Sequence, residues 1–127
     1  MMKILIVDDY NGILETLKYI LESDGYKVKT LKNTHNIYSE IDEFNPDLLM
    51  LDLLAKGHDG KEICKHLKTK FAFRDLKILI VPGHPKKMEN YKSYYADDFI
   101  EKPFELNELL VKIKSIMNLH LAQSDKQ

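Results

Sequence analysis

The sequence has few cysteines, almost no excess charge and no long apolar run, and each shortage excludes a class of protein. Its one cysteine, Cys64, excludes an internal disulfide framework and suits a reducing compartment. The 19 basic and 20 acidic side chains leave a formal charge of -1, which argues against bulk electrostatic binding to nucleic acid. No apolar run approaches the ~20 residues that span a bilayer. We therefore expect neither direct nucleic-acid binding nor a membrane location.

Signals for export and for nucleotide binding are also missing. Only four apolar residues separate Lys3 from Asp8, too few for the core of a signal peptide, so a cytoplasmic location is expected. No G-x-G-x-x-G or P-loop follows the first apolar segment, which argues against a nucleotide site. The histidines show no metal-binding spacing, and His58 and His84 are interpreted as surface-loop residues.

Short apolar segments alternate with amphipathic ones along the chain. Residues 48–51 form a continuous apolar run, the pattern of a strand buried on both faces, whereas residues 26–31 alternate as in an edge strand. Strands are predicted at 3–7, 26–31, 48–51, 76–81 and 98–100, each followed by a helix; the helix after Pro85 has the thinnest apolar stripe. Strands alternating with helices predict a doubly wound α/β fold, with a parallel sheet covered on both faces. We expect one domain over 1–121 and a polar tail over 122–127.

Charged side chains follow three of the predicted strands. Asp8 and Asp9 follow the first, Asp52 ends the third and Lys102 follows the fifth, while Pro82-Gly83-His84 follows the fourth. The carboxyl ends of parallel strands share one edge of the sheet, where ligands bind. Asp8 and Asp9 together exceed what capping a helix needs, which favours a site over a structural role.

This set of charges predicts a metal site with phosphoryl chemistry. Two carboxylates ~4 Å apart repel by ~4 kcal/mol at an effective dielectric near 20, so three need a counter-charge beyond Lys102. Carboxylate oxygens favour a hard cation, and Mg²⁺ is the one we expect. A carboxylate beside that ion and a lysine is placed to attack a phosphoryl group and form an aspartyl phosphate.

In order along the chain, four motifs closely resemble the receiver (CheY-like) domain of bacterial two-component response regulators. They are Ile6-Val7-Asp8-Asp9, Pro46-Asp47-Leu48-Leu49-Met50-Leu51-Asp52, Asp59-Gly60 and Asp97-Asp98-Phe99-Ile100-Glu101-Lys102-Pro103-Phe104. The resemblance implies a flavodoxin/CheY-like three-layer sandwich with strand order 2-1-3-4-5. It also implies phosphorylation by a sensor histidine kinase or phosphotransfer protein. Downstream, it implies a partner protein on the face of the fourth helix, fifth strand and fifth helix, which can also form a homodimer.

The same resemblance assigns roles to individual residues. Asp52 would be the phosphoacceptor, and Lys102 would pair with it and then with the phosphoryl group. The metal ligands would be Asp9, Asp52, the Leu54 backbone carbonyl and, mainly through water, Asp8. The bond from Lys102 to Pro103 would be cis. Asp59 is expected to cap the third helix.

Three positions depart from the family pattern. Pro82 stands where the family usually has Thr or Ser, and proline offers neither a hydroxyl nor an N–H. The Gly83 backbone N–H remains as a donor to the phosphoryl group. Ala55-Lys56 replaces a common Met-Pro. Phe99 fills the aromatic switch position and is equally consistent with plain packing.

These departures leave two functions in competition. The first is a single-domain, phosphorylation-dependent signalling protein that catalyses only its own phosphorylation and dephosphorylation. The alternative is a binding module with little or no phosphorylation-driven switching, because of Pro82. A phosphatase with an aspartyl nucleophile needs a general acid two positions later, where this chain has Leu54, so that function is rejected.

Overall fold

From the first strand to the fourth, strands and helices alternate in the structure as the sequence pattern predicts. The computed structural model describes residues 1–70, 75–82 and 91–125, with side chains up to residue 118. The strands are β1 (Lys3–Val7), β2 (Lys27–Leu31), β3 (Leu48–Asp52), β4 (Lys77–Val81) and β5 (Asp98–Phe99). The helices are α1 (Asn11–Ser23), α2 (Ile37–Phe44), α3 (Gly60–Thr69) and α4 (Leu106–Asp125). Each strand boundary lies within one residue of the predicted one.

The five strands form one parallel sheet in the order β2-β1-β3-β4-β5. All five residues of β3 are buried, as expected for its uninterrupted apolar run, and β2 lies at an edge. Val7 pairs with Leu51, and Asp52 pairs with Val81. The residues that follow β1, β3 and β4 therefore meet at one edge of the sheet.

Alternate residues of each strand enter one of two hydrophobic cores, which gives the predicted three layers. One core joins the sheet to α2 and α3 and includes Leu5, Leu49, Ile78, Ile41 and Ile63. The other joins it to α1 and α4 and includes Ile6, Met50, Leu79, Leu17 and Ile113. Both faces are covered, so polar groups reach solvent chiefly at the strand ends.

The segment after Pro85 and the end of α4 are the two places where the structure and the predicted elements are not directly matched. The predicted fourth helix, after Pro85, lies mostly outside the described residues, and its described end is one 3₁₀ turn over 91–94. Helix α4 continues to Asp125, so residues 122–125 of the predicted tail have helical backbone. Among the described helices, none has the length and apolar character needed to cross a bilayer.

Candidate functional site

The three predicted carboxylates lie together at the carboxyl edge of the sheet. Asp8 follows β1 and Asp52 ends β3, and these two side chains are buried, with 2% and 5% of their residue surfaces exposed. Asp9 is exposed to solvent beside them. One carboxylate oxygen from each of the three residues lies within 4.8 Å of the others. The cluster is therefore buried on one side and open on the other.

Local backbone turns hold the two buried carboxylates in the same way. Asp8 Oδ1 accepts a hydrogen bond from the Tyr10 N–H at 3.0 Å. Asp52 Oδ1 accepts one from the Leu54 N–H at 2.9 Å. Each acid thus uses one oxygen to fix its own loop, and the second oxygen is left for the centre of the site.

Lys102 occupies the position facing both second oxygens. Its Nζ lies 2.7 Å from Asp8 Oδ2 and 3.5 Å from Asp52 Oδ2. The peptide bond to Pro103 is cis, as predicted. The ammonium is closer to Asp8 than to Asp52, whereas the family resemblance implied pairing with Asp52. Lys102 therefore shares its charge between two acids.

Burial and neighbouring charges act against each other at the two ends of this ion pair. Burial raises the pKa of Asp52, the Leu54 hydrogen bond and Lys102 charge oppose that rise, and Asp8 adds to it. For Lys102, burial tends to lower the pKa, but the bond to Asp8 and the charges of Asp52 and Asp8 raise it overall. Lys102 therefore remains charged. For Asp52, the hydrogen bond from Leu54 and the charge of Lys102 do not fully offset the cost of ionising a buried carboxyl group.

The site fits a hard divalent cation. Three carboxylates and one ammonium leave a net charge of -2, because -3 and +1 sum to that value. The clustered donors are all oxygens, and Asp9 on the open side leaves room for water, which Mg²⁺ retains when it binds. The described residues therefore match the requirements of Mg²⁺.

Comparison with known proteins agrees with this arrangement. A family model of the response regulator receiver domain matches residues 4–114. The chain belongs to that family. Receiver domains of two-component systems are phosphorylated on an aspartate, bind Mg²⁺ at an acidic pocket and are not classical enzymes.

Solved receivers resemble this one over nearly their full length. A CheY-like receiver domain protein from Methanospirillum hungatei is 28% identical, with a TM-score of 0.86 and coverage of 97% of this chain and 98% of that one. A receiver domain from Bermanella marisrubri is 31% identical, with a TM-score of 0.81 and coverage of 91% and 97%. The receiver domain of a histidine kinase from Syntrophus aciditrophicus is 29% identical, with a TM-score of 0.82 and coverage of 93% and 91%.

Of the other predicted site residues, the described part of the chain includes Pro82 and Phe99. Pro82 is buried directly after Val81, whose carbonyl accepts the Leu53 N–H at 2.9 Å, so it lies beside the loop after Asp52. Gly83, the predicted phosphoryl donor, lies outside the described residues. Phe99 is half-buried, with its ring 5.1 Å from that of Tyr91. Its assignment as a switch stays a prediction.

Asp59 and Lys56 lie in the loop after Asp52. Asp59 caps α3 by accepting the Lys61 N–H at 3.0 Å, which confirms its predicted structural role. The Lys56 side chain is exposed, while its carbonyl accepts the Thr34 N–H at 2.8 Å. Thr34 was not predicted, because a single threonine in a polar segment carries no sequence signal for a partner 22 residues away.

An open hollow of about 410 Å³ lies next to the acidic cluster in this receiver. Tyr10, Ile13, Lys102, Pro103 and Phe104 line it. The Lys102 ammonium thus reaches both the cluster and a largely apolar depression on the surface.

We expect Asp52→Asn to stabilise the metal-free protein at neutral pH. An acid whose folded pKa lies above its ordinary value of 3.8 binds more protons when folded, so stability falls as pH rises from 3.8 through the raised pKa. Removing that charge should raise the melting temperature at pH 7, where each 1 kcal/mol of stability corresponds to about 3–5 °C in a domain this size. Thermal unfolding in chelator at pH 7 and pH 3 measures this.

The matched control is Asp42→Asn, which removes an exposed carboxylate from α2. It should leave the melting temperature nearly unchanged at both pH values. The gain from Asp52→Asn should vanish at pH 3, where the wild-type acid is protonated. A gain that is equally large at pH 3, or a loss at pH 7, would contradict the inferred electrostatics.

Proposed function

We propose that this receiver is a phosphoacceptor in two-component or phosphorelay signalling, phosphorylated on Asp52 with Mg²⁺. Its donor would be a sensor histidine kinase or a phosphotransfer protein. The observation that carries the proposal is the cluster of Asp8, Asp9 and Asp52 with Lys102 paired to two of them. Residues 1–121 would form the receiver domain of a cytoplasmic regulator, and this domain would catalyse only its own phosphorylation and dephosphorylation.

The residues divide the chemistry as follows. An Asp52 carboxylate oxygen attacks phosphorus, a P–O bond forms, and the P–N bond to the donor histidine breaks. Asp9, Asp52, the Leu54 carbonyl and, mainly through water, Asp8 would hold Mg²⁺, whose charge would offset that of the phosphoryl oxygens. Lys102 would neutralise another oxygen while staying paired with Asp8. The Leu54 N–H fixes the orientation of Asp52 before the donor arrives.

Intact-mass measurement with a small phosphodonor tests this proposal without a kinase. Wild-type protein incubated with acetyl phosphate and Mg²⁺ should gain one phosphoryl group, whereas Asp52→Asn should gain none. Chelating the metal should suppress the wild-type reaction, because the excess negative charge of the site would repel the donor. Wild type that gains no more phosphoryl than Asp52→Asn would reject the proposal.

A second candidate function is a binding module with little phosphorylation-driven change. Pro82 supports it, because this buried residue beside the Asp52 loop has no hydroxyl or N–H to bind a phosphoryl group. Its fixed φ also restricts the movement of the segment after β4. Phosphorylation of Asp52 and conformational response are therefore separate questions in this chain.

We expect Pro82→Thr to enlarge the response to phosphorylation. Amide chemical shifts at 91–99, compared with and without Mg²⁺ and beryllofluoride, should change little in wild type and several-fold more in the variant. The Pro82→Ala control restores the N–H without adding a hydroxyl, so it separates the two missing donors. If wild type and Pro82→Thr respond equally, Pro82 does not limit switching and the binding-module function loses its support.

The downstream partner would bind the face formed by residues 91–94, β5 and α4. Lys112 joins α4 to β5, since its Nζ donates to the Phe99 carbonyl at 2.5 Å and lies 4.9 Å from the Phe99 ring centre. It also approaches Asp98 Oδ1 at 3.4 Å. A displacement of Phe99 would therefore be transmitted to α4. The same face could pair two copies of the chain.

A further inference from the structure

A buried threonine ties the loop after Asp52 to the segment between β2 and α2. Thr34 is 1% exposed. Its hydroxyl accepts the His58 N–H at 2.7 Å and lies 3.2 Å from the carbonyls of both Lys56 and His58. Its own N–H donates to the Lys56 carbonyl at 2.8 Å. One side chain and one peptide group thus hold residues 56–58.

Gly57 makes this close approach sterically feasible. Its φ is +117°, a backbone conformation that residues with a side chain rarely adopt. A Cβ atom there would lie 2.5 Å from Thr34 Oγ1 and 2.6 Å from His35 Cδ2. The glycine and the threonine are therefore complementary parts of one contact, which we call the Thr34 latch (Thr34 with residues 56–58).

The latch fixes the downstream end of a segment whose upstream end is already fixed by the sheet. The Leu53 N–H donates to Val81 at 2.9 Å, and the Ala55 N–H donates to the Asp52 carbonyl at 3.0 Å. Leu54 lies between these two bonds, its N–H binds Asp52 Oδ1, and the latch begins two residues later. Loosening residues 56–58 would leave the Leu54–Ala55 peptide group, which carries the Leu54 carbonyl, held only from its upstream side by the bond to Asp52.

We propose that Thr34 is a positioning residue for the Mg²⁺ site. This inference rests on the proposed function, in which the Leu54 carbonyl and Asp52 bind the ion. Thr34 touches neither the metal nor the phosphoryl group; it acts through the backbone of residues 54–58. Removing a group that orients metal ligands without touching the ion lowers the affinity for the metal by about 10–100-fold.

A purely structural role is the competing explanation, because the Thr34 carbonyl also accepts the Ile37 N–H at 3.2 Å near the start of α2. Such a role would lower the stability of the fold without a specific loss of metal binding. Ile41→Val supplies the matched control, since it trims a buried side chain of α2 and leaves the latch intact. Comparing the two variants separates positioning from general destabilisation.

Calorimetric titration with Mg²⁺ tests the inference on wild type, Thr34→Val, Thr34→Ser and Ile41→Val. We expect Thr34→Val to raise the Mg²⁺ dissociation constant about tenfold, because valine keeps the shape but loses the hydroxyl. Thr34→Ser keeps the hydroxyl, so its Mg²⁺ dissociation constant should stay within about twofold of the wild-type value. Ile41→Val should bind as wild type does, despite lower stability.

Amide hydrogen exchange on metal-free wild type gives a readout that does not depend on any variant folding. The His58 N–H should be protected by the Thr34 hydroxyl, and Mg²⁺ should slow its exchange further. An unprotected His58 amide would overturn the inference, as would wild-type affinity in Thr34→Val or an equal loss in Ile41→Val. Absence of Mg²⁺ binding by wild type would instead reject the proposed metal site, and the inference with it.

Discussion

Lys102→Met should slow phosphorylation of Asp52 by acetyl phosphate about 100-fold, the scale of losing one electrostatic donor at a reacting group. Within the described part of the chain, Lys102 is the only cationic side chain paired with Asp52. Methionine has a similar length and no charge, so the phosphoryl oxygens would lose their protein counter-charge. The rate of mass gain at saturating Mg²⁺ measures the effect.

A control variant and a stability measurement show whether a slower rate reflects the loss of the Lys102 charge. Lys65→Met removes an exposed lysine from α3 and should leave the rate unchanged. Lys102→Met should also lower the melting temperature of the metal-free protein, because Asp8 and Asp52 lose their shared partner. If Lys102→Met retains the wild-type rate while folded, Lys102 has no role in phosphoryl transfer.

Leu49→Ala should reduce the free energy of unfolding by about 2–5 kcal/mol. Leu49 is a fully buried residue of β3, three residues before Asp52, and packs into the core beneath α2 and α3. Truncation leaves a cavity that the flanking strands restrict from collapsing. Urea unfolding followed by circular dichroism measures the loss.

The matched truncation is Leu106→Ala at the start of α4, where the leucine is 39% exposed. It removes the same atoms from a site that water already reaches, so the change should stay within about 1 kcal/mol. Equal losses at the two positions would contradict the assignment of β3 as the central buried strand.

The sequence predicted the strands well because their burial is periodic and local. The apolar run at 48–51 cannot be accommodated at a solvated surface, so its burial on both faces follows from composition alone. The strand order came from the resemblance to receivers, since periodicity does not encode which strands are neighbours. The extent of α4 was underestimated because its last residues lack the apolar stripe that marks residues 106–116.

At the site, the sequence predicted which charges meet but not how they share bonds. The positions of the strand ends and the need for a counter-charge predicted that Asp8, Asp52 and Lys102 lie together. The shorter contact of Lys102 with Asp8 depends on the loop after β5 and on the turn that holds each carboxylate. The Thr34 latch joins segments 22 residues apart, and only the folded chain reveals it.

The position of the phosphoryl group on the chain tests the central proposal most directly. Wild-type protein treated with acetyl phosphate and Mg²⁺ would be reduced with borohydride, which converts an aspartyl phosphate into homoserine. Peptide sequencing should then find homoserine at position 52 and intact aspartate at Asp8 and Asp9. Homoserine at either of those positions, or a phosphoryl group retained on a histidine with Asp52 unmodified, would contradict the proposal.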